Sequence, residues 1–318
     1  MDFENERKTC DGHLLKWLFA AGLAWLERHE EQVNRMNVFP VPDGDTGINM
    51  RLTMNRAYQA IAQMDEDHVG VVASHIAKGA LFGARGNSGV ILSQLLKGFA
   101  DSIEDKATFN TRDFARACQN AVELGYQSVG EPIEGTMLTV ARESSEAIQQ
   151  LVTETDNLIV TLDTLLDAAR ESLKQTPDIL PVLKNAGVVD SGGQGLVFIL
   201  EGMSRLLHGE SVDTDGVGVA EAVAEDWQSA LMPEDEEGYG YDVQFLMHGD
   251  ALDVVKVRGD IDAMGWSTLV VGDSTLIKVH VHVHDPGQPL SYAVGTGAII
   301  DDIVVENMQA QYEHYVQD

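Results

Sequence analysis

The stretch NVFPVPDGDTGINM, residues 37–50, separates two helical patterns, and the rest of the chain is organised around it. Pro40 and Pro42 fix their own φ angles and push the residues before them toward extended conformations, so the preceding helix must end here. The glycines that follow allow a tight turn. Residues 37–45, called the strap below, are therefore predicted to be a stiff segment leading into a helix that begins near Thr46.

Two carboxylates lie in the strap, Asp43 and Asp45, two residues apart. A turn can aim both at one point, but adjacent carboxylates repel each other unless a cation lies between them. Mg²⁺ commonly binds one or two carboxylates together with phosphate oxygens. The alternative at this stage is a solvated turn that caps the helix starting at Thr46.

Length and composition predict an ordinary globular protein of about two domains, since 44% of the 318 residues are apolar. The formal charge of −30 argues against nucleic acid and anionic membranes as partners, and a nucleotide site would need cations to screen its phosphates. We find no signal peptide, no transmembrane segment and only two cysteines. These features predict a cytoplasmic location and no disulfide framework.

The first two hundred residues show helical spacing of apolar residues and almost no strand pattern. They predict about eight helices, with glycine-rich breaks at several helix starts. In an up-and-down arrangement such breaks can collect at one end of the domain, where a ligand site can form. We predict a helical domain over residues 1–208, with helices at about 11–35, 46–64, 69–82, 111–128, 156–173 and 191–208. Two further helices are predicted, one directly after the glycine-rich loop that ends at Gly89 and one that ends at about Gln149.

One of these breaks, Gly83-Ala84-Arg85-Gly86-Asn87-Ser88-Gly89, runs directly into an apolar helix. The free N–H groups and the helix dipole at Ser88 and Gly89 make such a start a ready anion site. The alternative is that Ser88 caps the helix without any ligand. Arg85 is a candidate for stabilising transition-state charge.

Residues 209–237 contain ten acidic and no basic residues, which predicts an acidic linker. After it the hydrophobic period changes from 3.6 to 2, with β-branched residues enriched. We predict a small α/β domain over residues 238–318. Its predicted strands are 241–248, 251–257, 268–271, 275–282 and 298–304, with a short helix at 289–296.

Three histidines, His280, His282 and His284, alternate along one of these strands. Period 2 places them on one face, and such pairs of imidazoles commonly bind one Zn²⁺ together with a ligand from a neighbouring strand. The alternative is a solvated polar face or ordinary hydrogen-bonded histidines.

Several stretches together resemble the nucleotide-binding domain of dihydroxyacetone kinases and of the bacterial fatty acid kinase A subunit. The stretch NVFPVPDGDTGINM at 37–50 is closer to the fatty acid kinase branch, and so is GWSTLVVGDSTLIKVHVHVHDPG at 265–287, with Glu306-Asn307-Met308 after it. The resemblance covers nearly the whole chain. The motifs that carry it are residues 37–50, Gly86-Asn87-Ser88-Gly89, Glu134-Gly135-Thr136-Met137 and Gly187-Val188-Val189-Asp190-Ser191-Gly192-Gly193.

The resemblance implies an all-α antiparallel barrel of eight helices that binds Mg-ATP at one end, followed by a small α/β middle domain. By similarity, Asp43 and Asp45 ligate Mg²⁺ with help from Asn37. The remaining nucleotide contacts implied are Thr46, Asn87, Ser88 and Gly89 on the phosphates, Thr136 and Met137 beside the nucleoside, and Asp190 on its sugar or base side.

In the middle domain the family holds zinc with a Cys in a Gly-Tyr-Cys-Thr-Glu-Phe motif and with two strand histidines. Here Asp242 takes the Cys position, so the softest ligand is absent, although a carboxylate can also bind zinc. His280 and His282 match the family pair, and His284 is either an extra ligand or none. Family members usually continue into a third domain, so this chain is expected to be a fragment or a shortened member.

The leading hypothesis from the sequence is the ATP-binding component of a fatty acid kinase. It transfers the γ-phosphate to a fatty acid presented by a separate fatty-acid-binding protein, and the product is an acyl phosphate. The alternatives are one component of a dihydroxyacetone-type kinase and a non-enzymatic nucleotide- or metal-sensing module. A homodimer is left open.

Overall fold

The computed structural model describes residues 6–212 and 240–317. The predicted acidic linker at 209–237 lies outside these ranges apart from its first four residues. The domain bounds at 208 and 238 therefore stay predictions.

Residues 6–212 form an all-α domain, as predicted, with eight long helices and two short ones. Each long helix packs on the next, and the last packs back on the first, so the ring closes around one apolar core. No helix in the described ranges has the length and apolar character to cross a bilayer. The helices are α1 (Gly12–Arg28), α2 (Glu30–Arg35), α3 (Thr46–Ile61), α4 (Val69–Gly83), α5 (Gly86–Ser102), α6 (Thr111–Ser128), α7 (Met137–Leu151), α8 (Leu158–Ile179), α9 (Pro181–Ala186) and α10 (Ser191–Leu207).

The prediction of one continuous helix over residues 11–35 is wrong, because the helix breaks at His29 between α1 and α2. Nδ1 of His29 lies 2.8 Å from the carbonyl oxygen of Trp25, and its ring stacks on Phe198 of α10 with centroids 4.3 Å apart. These contacts hold His29 outside helical geometry. The stacking partner is about 170 residues away, so apolar spacing alone does not reveal the break.

Residues 240–317 form a four-stranded antiparallel sheet with helices, and the strand order is β2-β3-β1-β4. The strand predicted at 251–257 is wrong, because helix α11 begins there. Asp253 caps this helix by accepting a hydrogen bond from the N–H of Lys256, and Val257 and Ile261, one turn apart, are buried. The elements are β1 (Tyr241–His248), α11 (Val254–Asp262), β2 (Trp266–Gly272), β3 (Leu276–Val283), α12 (Gly287–Gly295), β4 (Ile299–Asn307) and α13 (Met308–Gln317).

The two faces of this sheet differ in chemistry because side chains alternate along each strand. In β1 and β3 one alternate set is apolar and forms the domain's own core with Val257, Ile261 and Ala293. The other set is mostly polar yet also buried. Its polar members are Asp242, Gln244, Lys278, His280 and His282.

Docking of the helical domain buries that polar face. Val129 pairs with Leu269 through an isolated β-bridge, which covers part of the edge strand β2. Beside it, Leu269 packs with Ala84 and Val90 in an apolar cluster. A polar face buried in this way needs partners for its groups.

Gly202 marks a close approach of α10 to α1. A Cβ at this position would lie 2.4 Å from the carbonyl oxygen of Ala21 and 2.7 Å from Cβ of Trp25. Gly202→Ala is therefore expected to lower the free energy of unfolding by about 1–3 kcal/mol in urea denaturation. A Cβ at Gly259 in α11 would have no described atom within 4 Å, so Gly259→Ala should raise it by up to about 1 kcal/mol. A Gly202→Ala protein as stable as the wild type would contradict the close approach.

Candidate functional site

A cavity of about 570 Å³, called the interdomain cavity below, lies between the helical domain and the polar face of the sheet. The first residues of α3, α5, α7 and α10 line it together with the strap, which confirms that the helix starts gather at one end of the ring. Arg85, Gly89 and His284 do not line it. The predicted site residues that do are Asn37, Asp43, Asp45, Thr46, Asn87, Ser88, Thr136, Met137, Asp190, Asp242, His280 and His282.

Asn37 and Thr46 brace the strap and leave few free groups. The Asn37 side chain donates to the carbonyl oxygen of Val41 at 2.6 Å, and its Oδ1 accepts from the N–H of Thr46 at 3.0 Å and from the Thr46 hydroxyl. Asn34 accepts from the N–H of Gly47 at 2.8 Å. The N–H and hydroxyl of Thr46 are thus already bonded, which corrects its predicted phosphate contact. Oδ1 of Asn37 already accepts two hydrogen bonds, so Asn37 braces the strap and its predicted metal contact is not seen.

Asp43 and Asp45 are partly exposed in the interdomain cavity and lie within hydrogen-bonding reach of each other. Burial, followed by the carboxylate of Asp45, raises the pKa of Asp43 well above its usual range, and burial also raises the pKa of Asp45. Asn49 donates to Asp45. Two carboxyl groups that resist ionising side by side are a fitting donor pair for a hard cation, because a cation removes their repulsion.

The α5 start presents N–H groups to the cavity without a side-chain cap. Gly86 has φ +56°, and a Cβ there would lie 2.4 Å from Nδ2 of Asn49, so only glycine fits. Asn87 and Ser88 follow in the cavity wall. The N–H of Gly86 donates to Oε1 of Gln244 at 3.1 Å. The N–H groups of Asn87 and Ser88 belong to the first turn, where the helix offers them no acceptor, so they can bind an anion.

Gly89 differs from its neighbours, and the prediction that it binds phosphate is wrong. Its N–H already donates to the carbonyl oxygen of Arg85 at 2.9 Å inside the helix. A Cβ at Gly89 would lie 2.4 Å from Oγ1 of Thr53, so this glycine allows α5 to pack closely on α3.

Arg85 is predicted to face the transferring group, but the structure directs it elsewhere. Its guanidinium donates to Oδ1 of Asp302 in β4 at 2.8 Å, and the buried Lys278 donates to the other oxygen of Asp302 at 3.2 Å. Burial raises the pKa of Asp302, but Arg85 and Lys278 outweigh it and hold that pKa below the usual range. Arg85 therefore links the two domains beside the cavity.

The starts of α7 and α10 also line the cavity. The Thr136 hydroxyl donates to the carbonyl oxygen of Ile133 at 2.8 Å, and Met137 is buried. Asp190 caps α10 by accepting from the N–H of Gly193 at 2.7 Å. Burial raises the pKa of Asp190 to about 6.

Replacing Asp190 by asparagine should therefore make unfolding stability less dependent on pH. The pKa of the Asp190 carboxyl group is about 6 in the folded chain, above its ordinary value of 3.8. The wild-type stability that this group contributes is therefore complete below pH 3.8 and is lost as the pH rises to about 6. At 1.36 kcal/mol per pKa unit, the free energy of unfolding of Asp190→Asn relative to that of the wild type should rise by about 3 kcal/mol from low pH to pH 7. Urea denaturation from pH 4 to pH 8 measures this, and a pH-independent difference would contradict it.

Asp242, His280 and His282 form a second donor group, with ligand atoms all within 4.8 Å of one another. Nδ1 of His280 lies 3.1 Å from Oδ1 of Asp242. These two atoms are close but do not form a hydrogen bond. Oδ1 of Asp242, both ring nitrogens of His280 and Nδ1 of His282 are all buried without hydrogen-bond partners among the described residues. Buried polar atoms without partners are costly, so this trio fits a cation such as zinc.

The pKa values of the trio agree with metal binding. Burial raises the pKa of Asp242, but His280 and then His282 outweigh it and hold that pKa below the usual range of an aspartate. Burial and the neighbouring His280 lower the pKa of His282 to about 3. At neutral pH the site therefore offers an ionised carboxylate and a neutral imidazole, the forms that bind metal.

His284 is not part of this group, which corrects the placement of all three histidines on one strand face. Strand β3 ends at Val283, and His284 is exposed with its ring centroid 4.8 Å from that of Trp266.

The two donor groups share one cavity, because Asp43 and Asp45 line it together with Asp242, His280 and His282. Sequence reasoning missed Gln244, which is buried and bonds both Gly86 and Asp242. The alternation of β1 places it on the face of Asp242, and that signal was available in the sequence.

Residues 40–205 match the DAK2 domain family, and residues 238–315 match the middle-domain family of fatty acid kinase A-like subunits. Protein YloV of Bacillus subtilis is 40% identical over 96% of this chain, and an uncharacterised protein of Staphylococcus saprophyticus is 39% identical over the same share. This chain spans 57% of the length of both relatives.

Among solved structures, the dihydroxyacetone kinase from C. freundii in complex with AMP-PNP and Mg²⁺ aligns with a TM-score of 0.44 and 16% identity, over 61% of this chain and 33% of that one. The DAK2 match covers more than half of the sequence. The chain therefore belongs to the DAK2 domain family and carries a middle domain of the fatty acid kinase A-like type.

Proposed function

We propose that this chain is the ATP-binding component of a fatty acid kinase, which transfers the γ-phosphate of Mg-ATP to a fatty acid carboxylate held by a separate lipid-binding protein. The family membership supports phosphoryl transfer in general. The observation that carries the proposal is the interdomain cavity, which is lined by two groups of possible cation ligands and by the first turn of α5.

The residues have distinct roles in this proposal. Asp43 and Asp45 hold Mg²⁺, and the N–H groups at Asn87 and Ser88 hold phosphate oxygens. Bound Mg²⁺ supplies charge neutralisation on the phosphates. The strap keeps both carboxylates in place through the bonds of Asn37, so positioning is built into the fold before the nucleotide arrives.

Thr136, Met137 and Asp190 also line the cavity, and in this proposal they contact the nucleoside. Asp242, His280 and His282 would hold zinc on the sheet side. A bound zinc would supply positive charge within the cavity. The cytoplasmic location remains part of the proposal.

The reaction itself needs little from the protein beyond position and charge. A carboxylate oxygen of the fatty acid forms a bond to the γ-phosphorus, and the bond from that phosphorus to the β–γ bridging oxygen breaks. The products are acyl phosphate and ADP. No proton has to be removed, because a fatty acid carboxylate is already ionised at neutral pH.

Cavity sizes support delivery of the fatty acid by another protein. The interdomain cavity lies within the range of about 300–1,000 Å³ that is usual for ligand sites, and both polar and apolar groups line it. The helical domain also contains an apolar cavity of about 190 Å³, below that range. It lies among core residues such as Phe19 and Met54, and Asp43, Asp45, Asp242, His280 and His282 do not line it.

The test combines the protein with Mg-ATP, a fatty acid and a fatty-acid-binding protein, and traps acyl phosphate as its hydroxamate. Product should form only when all four components are present. Dihydroxyacetone in place of the fatty acid should give no phosphorylated product. Nucleotide binding by calorimetry without any acyl phosphate would overturn the proposal, and turnover of dihydroxyacetone would favour the small-ketone alternative.

A further inference from the structure

Gln244 joins the two halves of the interdomain cavity through a single buried amide. It lies on β1 with 1% of its surface exposed. Its Oε1 accepts from the N–H of Gly86 at 3.1 Å, and its Nε2 donates to Oδ2 of Asp242 at 2.7 Å. One side-chain amide thus bonds both the first residue of α5 and a member of the metal-binding trio.

The chemistry of the partners fixes the orientation of this amide. A backbone N–H can only donate and an ionised carboxylate can only accept, so flipping the amide of Gln244 would break both bonds. Both bonds are buried, so losing either of them leaves a polar group without a partner.

Each end of the link is itself tightly held. Gly86 lies against Asn49, since a Cβ on Gly86 would approach Nδ2 of Asn49 within 2.4 Å. Asp242 bonds Gln244 through Oδ2 and faces His280 through Oδ1, at 3.1 Å from Nδ1. A shift of Asp242 is therefore passed to the α5 start, where Asn87 and Ser88 follow.

The Arg85 contact supports this link from the side. Arg85 precedes Gly86 and is bonded to Asp302 of β4, which Lys278 of β3 also contacts. Strands β3, β1 and β4 are neighbours in the sheet, so the α5 start is attached to the same surface that holds the metal-binding trio. The two attachments leave little freedom for the helix start to move independently of that surface.

We propose that Gln244 is a positioning residue that couples metal binding at Asp242, His280 and His282 to nucleotide binding at the α5 start. A metal that fixes Asp242 also fixes the amide and the N–H groups that receive the phosphates. Because the bound metal has already ordered the α5 start, the nucleotide binds without that entropy cost. Each ligand therefore raises the affinity for the other. Linkage requires the two effects to be equal. This coupling rests on the proposed function, because it needs a nucleotide at the α5 start.

The experiment measures both affinities by calorimetry in the full chain. Mg-ADP is titrated into zinc-free and zinc-loaded protein, and Zn²⁺ is titrated against a competing chelator with and without Mg-ADP. In the wild type, zinc should raise the affinity for Mg-ADP by the same factor by which Mg-ADP raises the affinity for zinc, on the order of 5–150-fold. In Gln244→Leu both ligands should still bind, but the factor should fall to about one.

Gln149→Leu is the matched control, because it removes a partly buried amide that bonds the carbonyl oxygens of Ala115 and Ser145 within the helical domain. It should keep the wild-type factor. If Gln244→Leu fails to fold, amide hydrogen exchange of Gly86 in the wild type tests the coupling instead. Zinc should slow this exchange, because the N–H of Gly86 bonds the amide that Asp242 holds.

Binding of both ligands to the wild type without mutual effect would overturn the coupling and leave the proposed function intact. Loss of Mg-ADP binding in folded Gln244→Leu would also overturn it, because the amide would then be part of the nucleotide site itself. Zinc binding without any Mg-ADP binding in the wild type would overturn the proposed function.

Discussion

Replacing Asp43 by asparagine should lower phosphoryl transfer by about two to three orders of magnitude or more. The substitution keeps the size of the side chain but removes one of the two carboxylates that can hold a cation in the strap, and charge stabilisation of this kind carries much of the rate in phosphoryl transfer. Without nucleotide the variant should be at least as stable as the wild type at neutral pH, because the repulsion with Asp45 disappears. Initial rates of acyl phosphate formation and thermal melts measure the two effects.

Asp167→Asn is the matched control, because Asp167 is exposed on α8 and pairs with Arg170 at 3.3 Å, away from the cavity. Its rate and melting temperature should equal those of the wild type. Wild-type turnover in Asp43→Asn would remove the cation role from the strap. A loss of activity accompanied by unfolding would assign Asp43 a purely structural role.

The double variant His280→Ala/His282→Ala should lose zinc almost completely. Two of the three converging donors disappear, and even residues outside the coordination sphere typically change metal affinity by about 10–100-fold when replaced. The expected metal content, measured by mass spectrometry after dialysis against zinc, falls from about one ion per chain to near zero. Calorimetry with a competing chelator should show an affinity loss of more than about a hundredfold for either single variant.

His284→Ala gives a sharp control, since His284 continues the same sequence alternation but lies beyond the end of β3. It should bind zinc like the wild type. If His284→Ala loses the metal, or if the double variant keeps it, the placement of the metal-binding trio is wrong.

Local patterns in the sequence were enough for much of this architecture. The helix at 111–128 and the strand at 241–248 were predicted with the bounds that the structure shows, because apolar spacing and end signals act within a few residues. Period 2 also placed His280 and His282 on one face. The resemblance added Asp242, which pairs with His282 across β1 and β3.

The errors share one physical cause, which is competition from partners that local spacing does not reveal. His29 lies outside the helix because it stacks on Phe198. Arg85 does not line the cavity because Asp302 binds its guanidinium. Gly89 was assigned a free N–H that the helix itself uses. A sequence shows which donors exist, but the folded chain decides which of them are already bonded.

The sequence alone thus determined that a proline-rich strap with two carboxylates leads into a helix, that more helices begin after glycine-rich breaks, and that a strand presents alternating histidines. These properties follow from backbone sterics and side-chain alternation. Only the tertiary structure placed Asp43 and Asp45 in the same cavity as Asp242, about two hundred residues along the chain. That meeting depends on the closed helix ring and on the docking of the sheet, whose many long-range contacts no local pattern encodes.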